Sequence, residues 1–164
     1  MNIGEITKRM IDFYNGNMHD INHFLKVYAY AKTISECEGL DGPAQTNLEV
    51  AAILHDIACP LCREKYGHAD GAHQEQEGPA LVIQFLKDSG LPQACVDRVA
   101  YLVGHHHTPT MADGPDYQIL LEVDYLVNAD EGKYTQEHVE QTLNAVFKTS
   151  TSKTLLRSIY LRNL

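Results

Sequence analysis

The chain has 164 residues, 44% of them apolar, enough for one domain with its own core and too apolar for a disordered segment. Asp and Glu number 22 against 13 Lys and Arg, a formal charge of -9, and the basic residues are scattered, so a nucleic-acid duplex is excluded as an expected partner. No apolar run approaches the roughly 18 residues of a membrane helix, and Met1 to Glu5 does not open a signal peptide, so a cytoplasmic protein away from the membrane is expected.

Apolar spacing is helical throughout, with no sustained alternation and no hairpin turn. Ile3, Ile6, Met10 and Phe13 predict a first helix, closed by Asn15-Gly16-Asn17. A second is expected from about His19 to Glu38, ended by Gly39 and Gly42. Pro43 suits the first turn of a third, which ends at His55-Asp56-Ile57, with Pro60 as its stop. The polar stretch from Arg63 to Glu77 reads as a loop, and Pro79 as the start of a fourth helix over Ala80 to Asp88. Gln93 to His106 follows, then a loop over Thr108 to Pro115. Three further helices, Tyr117 to Asp130, Gln136 to Lys148 and Ser152 to Arg162, complete an all-α, irregular bundle of six to eight helices.

Potential metal ligands cluster in this scheme. His19 and His23 lie four apart, on one face of a helix. His55 and Asp56 sit together at a helix end between apolar neighbours, where two ionisable groups need partners and a divalent cation serves both. His105, His106 and His107 close another helix, and Asp124 interrupts an otherwise apolar one. Each has a plainer alternative: a surface imidazole, a turn residue, or Asp124 paired with Arg98. Four cysteines, at 37, 59, 62 and 95, are expected as free thiols. The Cys59-Pro60-Leu61-Cys62 pair lacks two further ligands for a structural zinc and the β/α setting of a redox motif.

Taken together, His23, His55-Asp56 and Asp124, each on a different helix, resemble the signature of the HD superfamily of metal-dependent phosphohydrolases. His23 followed by Lys26, and Ala51-Ala52-Ile53-Leu54-His55-Asp56-Ile57, are similar to that family's opening helix and central motif. The resemblance spans about Asp20 to Asp130, within one HD-type domain over residues 1–164 whose motif-bearing core is about 19–130. It implies hydrolysis of a phosphate ester of a small metabolite or nucleotide. His23, His55, Asp56 and Asp124 would hold a first divalent metal, and His105 and His106 a second, completed by His19, Glu75, Glu77 or His73. Imidazole and carboxylate donors without thiolate suit Fe, Mn, Ni, Co, Zn or Mg, one or two per chain. Asp56 would orient the attacking water, and Lys26, Arg63, Lys65 and His107 would contact substrate phosphate.

Two departures stand out. Ala58-Cys59 replaces the Gly-Lys pair that many relatives carry after His-Asp, and Thr108 to Pro115 lacks the Gly-Tyr-Pro of cyclic-dinucleotide hydrolases. The other readings of this fold are a di-iron oxygenase and a non-catalytic metal-binding signalling module. With no partner domain evident, the chain is expected to act alone or as a homo-oligomer. The loops Arg63 to Gln74 and Thr108 to Pro115 are expected to frame the site.

Overall fold

The computed structural model describes residues 1–162. Among these it has nine α-helices and one short 3-10 turn: α1 (Ile3–Phe13), α2 (Met18–Cys37), α3 (Gly42–Leu54), α4 (Cys59–Tyr66), α5 (Gly71–Leu86), α6 (Gln93–Val103), the 3-10 turn Pro109–Met111, α7 (Pro115–Glu131), α8 (Gln136–Ala145) and α9 (Ser150–Tyr160). The all-α class holds, and none of the described residues forms a strand. No helix among them is long and apolar enough to cross a membrane.

The helix beyond the expected set is α4. Pro60, read as a stop, lies in the first turn of α4, where its missing N–H leaves no intrahelical bond unmade. Gly67, at φ 81°, ends α4 in the left-handed region. Asp70 then caps α5 by accepting the His73 N–H, so α5 begins at Gly71 and carries Pro79 in its interior. The expected loop from Arg63 to Glu77 therefore shrinks to a tight turn between two helices.

Helices α3 and α7 are central. Every residue from Leu48 to Leu54 is buried, as is every residue from Asp116 to Asp124. Such all-round burial suits a helix enclosed by others, and each fully buried Leu or Ile contributes about 1.5–3 kcal/mol. Helix α2 packs on both, α3 also packs on α6, and α5 covers α6. Glu122, fully buried on α7, ties the bundle's far end together. It accepts Gln118 Nε2 at 2.7 Å and the Thr149 N–H at 3.1 Å, with the Lys148 N–H and the Thr149 hydroxyl as further donors.

Candidate metal centre

Three imidazoles and two carboxylates meet where α2, the end of α3, the turn after α6 and α7 converge. His23 Nε2 lies 3.1 Å from His55 Nε2, 3.5 Å from Asp56 Oδ2 and 3.3 Å from Asp124 Oδ1. His55 Nε2 is 3.5 Å from Asp56 Oδ2 and 3.6 Å from Asp124 Oδ1. On the other side of Asp56, His106 Nε2 lies 3.6 Å from Oδ1. One aspartate thus turns one oxygen to His23 and His55 and the other to His106.

The opposite ring nitrogens explain why Nε2 points inward in each case. His55 Nδ1 donates to the Ala52 carbonyl at 2.9 Å, and His106 Nδ1 to the Val103 carbonyl at 2.8 Å. His23 Nδ1 donates to Glu131 Oε2 at 2.8 Å. With Nδ1 carrying the proton, each Nε2 presents a lone pair to the centre, the tautomer a metal ligand requires. Two such lone pairs facing each other across 3.1 Å repel unless a positive charge stands between them. His106 Nε2 is buried and has no hydrogen-bond partner at all. A set of inward-facing acceptors with an orphaned nitrogen fits a divalent cation.

Without an ion, a proton on an inward Nε2 takes the place of the positive charge. Burial alone would lower the His23 pKa, but the Asp124 hydrogen bond and the charge of Asp56 outweigh it and raise it to about 9. Removal from water would raise the Asp56 carboxyl, yet the imidazoles of His55 and His106 hold it well below the usual range. Asp124 is depressed likewise: burial opposes ionisation, and hydrogen bonds from His23 and His55 overcome it. The pocket favours negative carboxylates around a positive centre.

The supports come from three elements. Tyr14, which caps the end of α1, donates to the Asp56 carbonyl at 3.0 Å, fixing the turn after α3. Tyr117 donates to the Thr108 carbonyl at 2.8 Å and also to that of His105, clamping the turn that carries the three histidines. From α5, Glu75 accepts the His107 N–H and the Thr108 hydroxyl, both at 2.9 Å, and the Gln74 side-chain oxygen sits 3.3 Å from His107 Nε2. A Cβ on Gly71 would stand 2.7 Å from the His107 ring, so only glycine lets that ring lie there. His106, His107 and Asp124 line one wall of a cleft of about 230 Å³ that continues past Tyr125, Asn128 and Tyr134.

Several residues expected at the site lie elsewhere. His105 turns away: its Nδ1 donates to the Tyr101 carbonyl at 2.8 Å and its ring packs on Tyr101, so the inward pair from this turn is His106 and His107. His19 is exposed and stacks beyond His23 at 6.5 Å, reaching only to 3.9 Å from Glu131. Glu77 accepts Lys65 Nζ and the Tyr66 hydroxyl, each at 2.6 Å, which commits both Glu77 and Lys65 away from the cluster. His73 faces Asp70 instead. Glu75 supports the turn rather than facing the cluster. Arg63 pairs with buried Asp20, and Lys26 donates to Glu131 Oε1 at 3.0 Å. Asp124 has no tie to Arg98, which pairs with Asp113 and Asp116. Glu131 is the residue sequence reasoning missed: from the last turn of α7, seven positions beyond Asp124, it holds His23 and Lys26 together, a link no local spacing reveals.

The four cysteines are free, and Cys59 and Cys62 are buried. No group of potential metal ligands among the described residues includes either.

The HD domain family matches residues 20–145, and the chain belongs to it. A solved structure of a predicted HD superfamily hydrolase from an uncultured Thermotogales bacterium is similar over 98% of this chain and 84% of that one, with TM-score 0.67 and 24% identity. At that identity the likeness shows the fold. No curated protein matches the chain. The fold is that of the HD domain, and its His/Asp cluster offers a set of side chains that could hold a metal ion.

Proposed function

We propose that this chain is a metal-dependent phosphohydrolase that cleaves a phosphate ester of a small metabolite or nucleotide. The observation that carries the reading is the divided carboxylate of Asp56, with Oδ2 toward His23 and His55 and Oδ1 toward His106. Two donor sets sharing one aspartate suit a pair of divalent ions: His23, His55 and Asp56, with Asp124 beside both imidazoles, for one, and Asp56, His106 and His107 for the other. When bound, such ions supply Lewis acidity toward a phosphoryl group and lower the pKa of water.

The chain's own residues do the rest. Asp56 and Asp124 hold the negative charge that retains the cations, while the Nδ1 bonds of His23, His55 and His106 keep the donors aimed. Asp56, at the junction, orients the water that attacks phosphorus. The cleft beside Asp124 receives the substrate's organic part against Tyr125 and Tyr134. Lys26 and Arg63, each paired with a carboxylate at the rim, reach substrate phosphate only by exchanging that partner.

The divided carboxylate equally suits a di-iron pair that activates oxygen, so one experiment weighs both readings. Elemental analysis of protein purified without chelator is combined with assays of a generic phosphate ester and of oxygen uptake. Metal-dependent ester hydrolysis, absent in Asp56→Ala, is the expected result. Iron at two equivalents with oxygen uptake and no ester cleavage would replace hydrolase with oxygenase. Metal retained with neither activity would leave a binding module.

A further inference from the structure

Away from the Asp56 cluster, the turn between α4 and α5 gathers a second set of ligand-type side chains. His68 Nδ1 and His73 Nδ1 stand 2.9 Å and 2.8 Å from the same oxygen, Asp70 Oδ2. All three residues have water at hand: His68 and Asp70 are exposed and His73 is half-buried.

Two of the three donors are already oriented. Asp70 is fixed as the cap of α5, because its other oxygen accepts the His73 N–H at 3.0 Å. The His73 ring is stacked on Tyr66, with centroids 3.9 Å apart and planes at 30°, and Tyr66 is itself tied to Glu77. His68 follows directly on Gly67, whose left-handed φ of 81° ends α4 and turns the chain back toward α5. The carboxyl end of α4 and the amino end of α5 meet here, so their dipoles oppose and the Asp70 charge sets the local potential.

We propose that His68, Asp70 and His73 form a second, solvent-facing metal site, separate from the Asp56 cluster, for a borderline divalent ion of the zinc class. A tetrahedral zinc ion holds such donors about 2.0–2.2 Å away and so about 3.3–3.6 Å apart. The two nitrogen-to-oxygen separations, now direct imidazole–carboxylate contacts of 2.9 Å and 2.8 Å, need widen by only about half an ångström to admit the ion. Two imidazoles with one carboxylate select Zn²⁺, Ni²⁺ or Cu²⁺ over Mg²⁺ or Ca²⁺, which prefer all-oxygen sites, and water completes the coordination. An ion there staples the turn to the first turn of α5. The next two residues, Gln74 and Glu75, hold His107, so the staple stiffens the Asp56 cluster's support from outside.

The test is Zn²⁺ binding to the full chain, by competition against a chromogenic chelator, and it does not depend on any catalytic activity. His68→Ala/His73→Ala is expected to bind one equivalent fewer than the unmodified chain. Asp70→Asn keeps the helix cap and is expected to weaken that equivalent about tenfold. Asp56→Ala is expected to leave it in place. Equal stoichiometry and affinity in the double variant and the unmodified chain would overturn the site, and loss of more than one equivalent would overturn its separateness.

Discussion

The two sides of the Asp56 cluster are built differently. On one side His23, His55 and Asp124 project from α2, the end of α3 and α7, the long helices that form the middle of the bundle. On the other, His106 and His107 sit in a turn after α6, held by Tyr117 and by side chains from α5. The first side is as rigid as the core around it. The second depends on a few polar contacts at a corner, so its geometry is open to adjustment by single substitutions.

The largest effect that separates the two histidines of the corner should come from His106→Ala set against His105→Ala. Loss of His106 is expected to reduce ester hydrolysis by roughly 10²-fold, about 2.7 kcal/mol of transition-state stabilisation, because a donor to Asp56's second side is gone. His105→Ala should stay within a few-fold, since that ring packs on Tyr101 and bonds its carbonyl, away from Asp56. Equal losses in steady-state kinetics would contradict a turn in which His106 faces Asp56 and His105 faces away.

Glu131→Gln probes the rigid side. It leaves His23 without its charged acceptor, and metal affinity measured by competition titration should fall roughly 10- to 100-fold. Glu75→Ala probes the corner, where the N–H of His107 and the hydroxyl of Thr108 lose their acceptor. A few-fold loss of activity with unchanged occupancy of the first metal is expected, and a larger loss than for Glu131→Gln would reverse the ranking of the two sides.

The smallest effect lies far from both. Glu38 accepts the Thr151 N–H at 2.6 Å, and hydrogen bonds from Thr151 hold its carboxyl below the usual range. A depressed folded-state pKa adds stability that is present above the unfolded value of about 4.3 and is lost as pH falls through the folded one. Thermal melts of Glu38→Gln should therefore run below the unmodified chain at neutral pH and converge with it on acidification. A gap that persists in acid would mean the contact works through something other than charge.

The rigid side was legible in the sequence and the corner was not. His23, His55-Asp56 and Asp124 are marked by ionisable residues breaking apolar helical runs, and apolar periodicity alone locates those helices. Three consecutive histidines offer no such frame: which two face inward depends on the Tyr117 clamp and on α5, both remote in sequence. The first half of α5 is also hidden in the sequence, because Pro79 looks like a start and the polar residues before it look like a loop. Burial of Gln74 and Gly78 against the rest of the fold, rather than local propensity, keeps that segment helical. Glu131 and Asp20, the acidic partners of Lys26 and Arg63, turn two expected phosphate contacts into ion pairs, and only the folded arrangement reveals them.

One contact between α5 and α6 has a mechanical side. A Cβ on Gly78 would meet the Val103 side chain at 2.7 Å, and one on Gly104 would meet Pro79 at 2.8 Å. The two glycines therefore act as a pair of spacers of zero thickness, immediately ahead of the turn that bears His106 and His107. Adding a single methyl group at either position would push the helices apart like a shim behind a hinge plate. The displacement would reach the corner histidines and leave His23 and His55 where they are, so a substitution that touches no ligand would retune one half of the centre alone.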